Sequence, residues 1–358
     1  MNRIGFDRIK WSSPTPDLRR KVCERDGRMR SWNLIASAML LLGLTGCLHH
    51  SPGVLYESSF EPLSDRQIAL RDQLKRDVHH LADKIGPRGA GHTLPAILAA
   101  ERWIIDRLSA VGIQAQRDEV DLGGAKVANI EATFPGTKLP DEIVIVGGHY
   151  DTVAESPGAN DNASGVALLL VLAERLAKNP PERTIRVVFF VNEEWPFSGG
   201  IQMGSKVYAE RCKARLDHIV AMIAVDSVGC YSNERGSQDY PAMVGWFMPS
   251  KGNFIAFGSD LKNRPLLDFV VASFQKQCRF PCIGAATDSS MSARGDHAPF
   301  WWQGYPAISM SDTSEFRDPN YHRPTDTPQH LNYDDMARMV DGFVETIQTL
   351  GLAETAIP

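Results

Sequence analysis

The 358-residue sequence predicts an α/β fold, with a mixed, largely parallel central sheet and helices on both faces. Apolar runs nearly free of charge, which are typical of strands buried on both sides, alternate along the chain with segments of helical periodicity. Hydrophobic residues make up 43% of the chain, which is enough for one proper core. Several apolar runs end in histidine or carboxylate side chains, and α/β proteins build their sites at the carboxyl ends of parallel strands.

The predicted elements follow in chain order. A first helix, 64–85, has apolar residues at helical intervals until Gly86-Pro87, and a second, 94–111, ends at Gly112. Strands are predicted at 126–134, 142–146, 184–191, 218–225 and 306–310, and further helices at 163–176, 266–277 and 334–350. This alternation predicts a single α/β domain.

The N-terminal segment is predicted to be an export signal. A basic start at residues 28–30 leads into the apolar run 34–44, which is too short to span a bilayer. The following Leu44-Thr45-Gly46-Cys47 resembles a bacterial lipobox, which implies that Cys47 is lipidated and becomes the mature N-terminus; a signal cut elsewhere is the alternative. We therefore expect an extension and signal peptide at 1–46, a tether at 47–60 and the folded domain at 61–358.

Charge and anchoring together define the expected partners and location. Residues 1–46 contain nine Lys/Arg and four Asp/Glu, a net of +5, so the total of −5 leaves −10 for the mature chain. This negative charge argues against nucleic acid as a partner. A lipidated Cys47 would hold the protein on a membrane, facing the periplasm or the cell exterior. Leu48, in place of the aspartate associated with inner-membrane retention, favours the outer membrane.

The cysteines after Cys47 form an even set, which suggests disulfides in an exported protein. Cys278 and Cys282, on either side of Pro281, are the expected pair. For Cys212 and Cys230, a disulfide and two buried thiols are equally open. Neither pair has the spacing of a zinc finger, so a structural zinc is not expected.

Two of the predicted strands end in chemically active side chains. His149 follows the apolar run 143–146 and two glycines, and Asp151 shares its face of an extended segment. Asp151 is therefore expected to hydrogen-bond the free nitrogen of the imidazole. Glu193-Glu194 ends another apolar run, and adjacent carboxylates repel one another unless cations or protons offset them.

Three further residues complete the constellation. Asp161 lies between two asparagines at the start of a predicted helix, where the roles of helix cap and metal ligand are compatible. Asp226 ends an apolar strand, a costly position for an unpartnered charge. His322 supplies a second imidazole. These groups suffice, with one carboxylate to spare, for two divalent ions and a general base, which is the equipment of a hydrolase.

As an ordered set, these motifs resemble those of metallopeptidase family 28, the co-catalytic zinc aminopeptidases. The matching stretches are Gly147-Gly148-His149-Tyr150-Asp151, Asn160-Asp161-Asn162-Ala163-Ser164-Gly165, Asn192-Glu193-Glu194, Asp226 and Tyr321-His322-Arg323-Pro324-Thr325-Asp326-Thr327. The match covers nearly all of residues 64–352. It implies a zinc aminopeptidase/phosphorylase-like fold and makes 61–358 a metallopeptidase domain.

The resemblance implies hydrolysis of the N-terminal peptide bond of peptides that have a free N-terminus. It also implies two Zn²⁺ ions, with manganese or cobalt as alternatives, bridged by Asp161. One ion would also be held by His149 and Asp226, and the other by Glu194 and His322.

The remaining roles follow from the same resemblance. Glu193 would be the general base that takes a proton from a water bridging the metals, and Asp151 would support His149. Tyr321 would steady the developing oxyanion. Asp296-His297 matches a family stretch that lines the site, and these two residues are given no metal role because five ligands suffice.

One departure from the family pattern and three rival functions stay open. Residues 195–200 come before Met203-Gly204-Ser205 where many relatives have a Gly-Leu segment, which leaves the ligands intact but puts the local pocket wall in doubt. We expect the pocket in this stretch and in 281–292. The same fold family includes single-zinc glutaminyl cyclases and carboxypeptidases, and a non-catalytic binding lipoprotein is the third alternative.

Overall fold

The computed structural model describes residues 49–51, 60–240, 248–288 and 293–358. The predicted signal peptide with Cys47, most of the tether and part of the predicted pocket segment 281–292 therefore lie outside the described residues. In the described ranges, no helix combines the length and the apolar character that crossing a bilayer requires.

In the part of the chain that the structure describes, nine strands form one mixed sheet, in the spatial order β1-β8-β7-β9-β6-β4-β5-β3-β2. In chain order they are β1 (His49–Ser51), β2 (Gln116–Asp121), β3 (Lys126–Phe134), β4 (Leu139–His149), β5 (Arg183–Phe190), β6 (His218–Val225), β7 (Ile255–Asp260), β8 (Cys282–Thr287) and β9 (Ala307–Ser311). The central strands β9, β6, β4 and β5 are parallel. The mixed sheet predicted from the sequence is confirmed, with the antiparallel pairs lying toward its edges.

Seven α-helices of the described residues accompany the sheet: α1 (Asp65–His79), α2 (Leu94–Ser109), α3 (Gly165–Lys178), α4 (Gly204–Arg215), α5 (Arg264–Gln277), α6 (Ala298–Trp302) and α7 (Tyr333–Leu350). Helix α1 begins at a capping box, in which the hydroxyl of Ser64 accepts from the backbone N–H of Gln67. It continues into a wider π-type turn, His80–Ile85, and ends at Gly86, whose φ is +78°.

The sheet is covered on both faces, as predicted, because successive side chains of a strand point to opposite sides. Val144 and Val146 of β4 belong to the larger core, which also contains the apolar sides of α1, α2, α3, α5 and α7. Ile143 and Ile145 of the same strand belong to a smaller core with Tyr208 of α4 and other residues. The two cores hold the central strands from either side.

The expected disulfide between Cys278 and Cys282 is wrong: among the described residues, both side chains are thiols, as are those of Cys212 and Cys230. Cys278 and Cys282 pack in different parts of the fold. Cys278 follows α5 and lies against Gly342 of α7, where an added Cβ would meet its Sγ at 2.2 Å. Cys282 begins β8 and is buried in the larger core.

The parallel register brings the carboxyl ends of three strands together. His149 of β4 pairs with Phe190 of β5, and Gly147 of β4 pairs with Ala224 of β6. The residues that follow β5 and β6 in the chain therefore lie beside His149. This edge holds most of the side chains singled out from the sequence.

Candidate metal centre

Asp161 lies between the two histidines of the predicted site. Its Oδ1 lies 3.2 Å from Nε2 of His149, and its Oδ2 lies 3.0 Å from Nε2 of His322. The side chain is almost wholly buried, and Oδ1 accepts no hydrogen bond. Each oxygen of one carboxylate thus faces a separate group of ligand atoms.

The first group contains His149, Asp161 and Asp226, whose ligand atoms all lie within 4.8 Å of one another. Oδ1 of Asp226 lies 3.6 Å from Nε2 of His149 and accepts a hydrogen bond from the hydroxyl of Ser227. The side chain of Asp226 is 34% exposed, whereas that of His149 is 1% exposed. The open side of this group is therefore at Asp226.

The second group contains Asp161, Glu194 and His322, with the same 4.8 Å limit. Nε2 of His322 lies 3.0 Å from Oε1 of Glu194. The ring of Tyr321 stacks on that of His322 with their centroids 3.8 Å apart. His322 has a φ of +58°, a backbone conformation that residues other than glycine rarely adopt.

Glu193 is placed beside the first group and not within the second. A ligand atom of Glu193 lies within 4.8 Å of those of His149 and Glu194. Of the two adjacent glutamates, only Glu194 also belongs to the group of Asp161 and His322.

Asp151 supports the site in a way that the sequence did not predict. Nδ1 of His149 lies 3.2 Å from the backbone carbonyl of Asp151 and 3.6 Å from its carboxylate. The carboxylate instead accepts the backbone N–H groups of Glu193 and Glu194, each at 3.1 Å. One buried aspartate thus holds both the histidine strand and the glutamate loop.

The two asparagines of the Asn160-Asp161-Asn162 motif tie the surrounding backbone together. Nδ2 of Asn162 donates to the carbonyls of His149 and Val225, and its Oδ1 accepts from the first N–H of α3, at Gly165. Asn162 therefore caps the helix, which leaves the carboxylate of Asp161 free of that role. Asp326 accepts the backbone N–H groups of Asn160 and Asp161.

The electrostatics reflect carboxylates that outnumber the cations around them. Burial alone would lower the pKa of His149, but its contacts with Asp151, Asp161 and Asp226 raise that pKa well above its ordinary value. Burial raises the pKa of Glu193 well above its ordinary value, with the charge of His149 opposing it. Without a metal, protons on these groups offset the negative charge.

The second group shows the same pattern. Burial and the charge of Asp161 raise the pKa of Glu194 to about 7, against a hydrogen bond from His322. Burial would lower the pKa of His322, yet its hydrogen bonds to Asp161 and Glu194 raise it to about 10. Burial, with the acidic residues nearby, also raises the pKa of Tyr321.

The residues present fit zinc. Imidazole nitrogens and carboxylate oxygens are the donors that catalytic zinc sites use, and here they form two described groups of three that share Asp161. The buried, unpartnered Oδ1 of Asp161 is the acceptor that a cation would satisfy. The donor set is therefore that of a metal centre with a shared carboxylate.

The segment that departs from the family pattern forms an apolar rim next to Glu194. The N–H groups of Phe197 and Ser198 donate to the carbonyl of Glu194, which fixes the start of the segment. The side chains of Trp195 and Ile201 are 77% and 82% exposed. Two large apolar side chains of this stretch are therefore exposed to solvent.

Two other predicted residues also lie at this edge, and one important residue was missed. Asp296 and His297 are buried, and burial raises the pKa of Asp296 to about 7 while the charge of His149 opposes it. The missed residue is Arg88, which is fully buried and contacts the backbone on both sides of the ligands. Its only signal in the sequence is its place in a Gly-Pro-Arg-Gly turn, which does not specify a partner.

Comparison with known proteins identifies a peptidase family. The model of peptidase family M28 matches residues 129–347. The uncharacterized Escherichia coli protein YfbL is 32% identical over 285 residues, which are 76% of this chain and 86% of that protein. A probable leucine aminopeptidase 1 of Trichophyton verrucosum is 28% identical over 235 residues; these span 60% of this chain and 57% of the fungal protein.

Solved structures share the fold at low sequence identity. A zinc aminopeptidase from Bacillus subtilis has a TM-score of 0.61 at 15% identity, covering 80% of this chain and 96% of that one. A glutaminyl cyclase from Fimbriiglobus ruber has a TM-score of 0.54 at 20% identity, covering 82% of this chain and 99% of that one. The predicted fold class is thus confirmed.

Proposed function

This chain belongs to peptidase family M28 and is a metal-dependent exopeptidase, and from this premise we propose that it is an aminopeptidase that uses two zinc ions to release N-terminal residues from peptides. The observation that carries the proposal is the carboxylate of Asp161. Its two oxygens face two separate groups, each with one histidine and one further carboxylate. A shared carboxylate between two such groups is the arrangement that a pair of ions requires.

Five residues would hold the ions: Asp161 between them, His149 and Asp226 on one side, and Glu194 and His322 on the other. Zinc bound there supplies Lewis acidity, which polarises the scissile carbonyl and lowers the pKa of the attacking water toward ~7. Asp151 keeps Glu193 and Glu194 in place through their backbone N–H groups. Tyr321, whose ring stacks on that of His322, would steady the oxyanion in this proposal.

Glu193 is the general base in this proposal. It stands beside His149 and is the one glutamate of the pair outside the His322 group. Its carboxylate would take a proton from the attacking water and pass it to the leaving amine. Such a base contributes on the order of a hundredfold to ten-thousandfold in rate.

The charge of the site favours the amino end of a peptide. In the described residues, the ion pairs of Asp161, Glu194 and Asp226 are made with His149 and His322 alone. No arginine or lysine of the described ranges pairs with these three carboxylates, so only the two histidines offset their negative charge. The exposed carboxylate of Asp226 suits a substrate's α-ammonium group.

The test uses the zinc-loaded full chain with leucine p-nitroanilide and with N-acetyl-leucine p-nitroanilide. An aminopeptidase cleaves the first and leaves the second intact, because acetylation removes the charge that the site receives. Equal cleavage of both, or none of either with two zinc ions bound, contradicts the proposal. Release of a C-terminal residue from an N-blocked peptide indicates a carboxypeptidase, and cyclisation of an N-terminal glutamine with one zinc per chain indicates a glutaminyl cyclase.

We propose further that residues 1–46 are a lipoprotein-type signal, that 47–60 tether the enzyme and that 61–358 form the peptidase domain. The lipobox-like Leu44-Thr45-Gly46-Cys47 supports this. Cells expressing the full chain should incorporate labelled palmitate into it, and the Cys47→Ser variant should not. Soluble, unlabelled wild-type protein contradicts the anchor but leaves the aminopeptidase proposal unaffected.

A further inference from the structure

Among the described residues, Arg88 is one of the largest fully buried side chains, with 0% of its surface exposed. Its guanidinium donates to five backbone carbonyls, those of Tyr150 (2.8 Å), Leu81 (3.4 Å), Gly86 (3.2 Å), Pro157 (2.6 Å) and Gly158 (3.0 Å). All five acceptors are neutral. A buried cation whose hydrogen bonds all go to peptide carbonyls is costly unless negative charge lies nearby.

Three of the five acceptors of Arg88, those of Tyr150, Pro157 and Gly158, lie close to proposed metal ligands in the chain. Tyr150 stands between His149 and Asp151, and Gly158 precedes the turn that carries Asp161. The backbone of Arg88 adds two further bonds to the first of these segments: its N–H donates to Oγ1 of Thr152, and its carbonyl accepts from the N–H of Thr152. One side chain therefore joins the segment that ends β4 to the segment that carries Asp161.

The negative charge that offsets the Arg88 cation comes from nearby aspartates of the site. Burial lowers the pKa of Arg88 to about 10, and Asp326, Asp151 and Asp161 act against that shift. The side chain is therefore charged at neutral pH. Its guanidinium hydrogen-bonds to backbone carbonyls and to none of the site carboxylates.

We propose that Arg88 is a positioning residue that holds the His149 segment and the Asp161 segment at the separation that the two zinc ions need. This inference rests on the proposed two-zinc function. The planar guanidinium of arginine can donate to several carbonyls at once, which the single ammonium group of lysine cannot do in the same geometry. Loss of the guanidinium would let the two ligand-bearing segments shift relative to one another without removing any ligand.

Arg183 offers a matched control, because it is also a buried arginine that holds backbone together. It donates to the carbonyls of Leu350, Leu352 and Thr355 and pairs with Glu142 at 2.7 Å. It begins β5, at the opposite end of the strand from Glu193 and Glu194. An arginine that serves only the fold should behave like Arg183.

The experiment compares Arg88→Lys with Arg183→Lys in the full chain. The zinc dissociation constants of both ions are measured by competition with a chromogenic chelator, and far-UV circular dichroism and the melting temperature are recorded without metal. Outer groups that orient metal ligands are typically worth about tenfold to a hundredfold in metal affinity. We expect a loss of that size in Arg88→Lys and unchanged zinc binding in Arg183→Lys, whatever either variant loses in melting temperature.

A second variant covers the case in which Arg88→Lys does not fold. Thr152→Val removes the hydroxyl that accepts from the N–H of Arg88 and keeps the shape of the side chain; it should weaken zinc binding in the same direction by a smaller factor. Wild-type zinc affinity in either folded variant, or an equal loss in Arg183→Lys, overturns the inference. Failure of the wild-type chain to bind two zinc ions is a different result, which contradicts the proposed function itself.

Discussion

The two ends of the central strands carry charge in opposite ways. At the amino ends, charges are paired: Arg183 meets Glu142 at 2.7 Å, and Arg186 meets Asp217 at 2.6 Å. At the carboxyl ends, the histidines share an excess of carboxylates, and the pKa values of His149 and Glu193 are both raised. The same sheet is therefore electrostatically balanced at one end and unbalanced at the other.

The charges at the amino ends of the strands stabilise the fold, whereas those at the carboxyl ends form the candidate site. An ion pair such as that of buried Arg183 with partly exposed Glu142 stabilises the fold with charges of the chain itself. The carboxyl-end cluster is complete only when cations from outside the chain are added, because unpaired buried carboxylates are costly. Substitutions at the amino ends should therefore alter the stability of the fold, and substitutions at the carboxyl ends should alter zinc binding and turnover.

The largest expected effect is that of Glu193→Gln on turnover. The amide keeps the size of the side chain but cannot accept the proton of water, so kcat should fall by about a hundredfold to ten-thousandfold. Zinc content, measured by elemental analysis, should stay at the wild-type value. Glu142→Gln, the same change at the balanced end, should keep the wild-type kcat; comparable loss in both variants would remove the distinction between the ends.

Removal of zinc should have the next largest effect, on stability. Each ion that binds only the folded chain contributes about 2.7 kcal/mol when free zinc is a hundredfold above its dissociation constant. Chelation should therefore lower the melting temperature in calorimetry, and restored zinc should reverse the change. The loss should be the same in Glu142→Gln, because that pair is independent of the metal.

Zinc affinity should rise with pH. In the metal-free chain, hydrogen bonds to Asp161 and Glu194 raise the pKa of His322 to about 10, so this imidazole is protonated at neutral pH, and the pKa of His149 is raised as well. Zinc must displace these protons. The affinity should increase about tenfold per pH unit for each displaced proton until the pH passes those pKa values. Titration calorimetry in buffers of different ionisation enthalpy counts the protons, and a count of zero contradicts the model.

The smallest effect is expected at the balanced end. Glu142→Gln removes the charge that faces Arg183, whose side chain keeps its three carbonyl acceptors. With Glu142 partly exposed, we expect a loss of about 1–2 kcal/mol in the free energy of unfolding, measured with denaturant. A larger loss accompanied by weaker zinc binding would show that the two ends are coupled.

Local sequence patterns predicted the buried elements best. The strands Lys126–Phe134 and His218–Val225 have the bounds predicted, because their apolar runs leave little choice. The edge strand Gln116–Asp121 was missed: four of its six residues are charged, and only Val120 is buried. Helix α4 was missed for a related reason, since it buries few of its residues and has no strong apolar face.

The candidate site was predictable where motif and strand end coincide. His149, Glu193 and Asp226 all follow buried strands, and the parallel register brings them together. The supporting contacts were not predictable, because they join distant parts of the chain. The carboxylate of Asp151 accepts from residues 42 and 43 positions away, and Arg88 donates to carbonyls 62 to 70 positions away.

The central claim is that Asp161 bridges two zinc ions. Anomalous X-ray diffraction at the zinc edge, on crystals of the zinc-loaded chain, tests it most directly. We expect two zinc peaks, one beside His149 and Asp226 and one beside His322 and Glu194, with the carboxylate of Asp161 between them. A single peak, or two peaks that do not share Asp161, would contradict it.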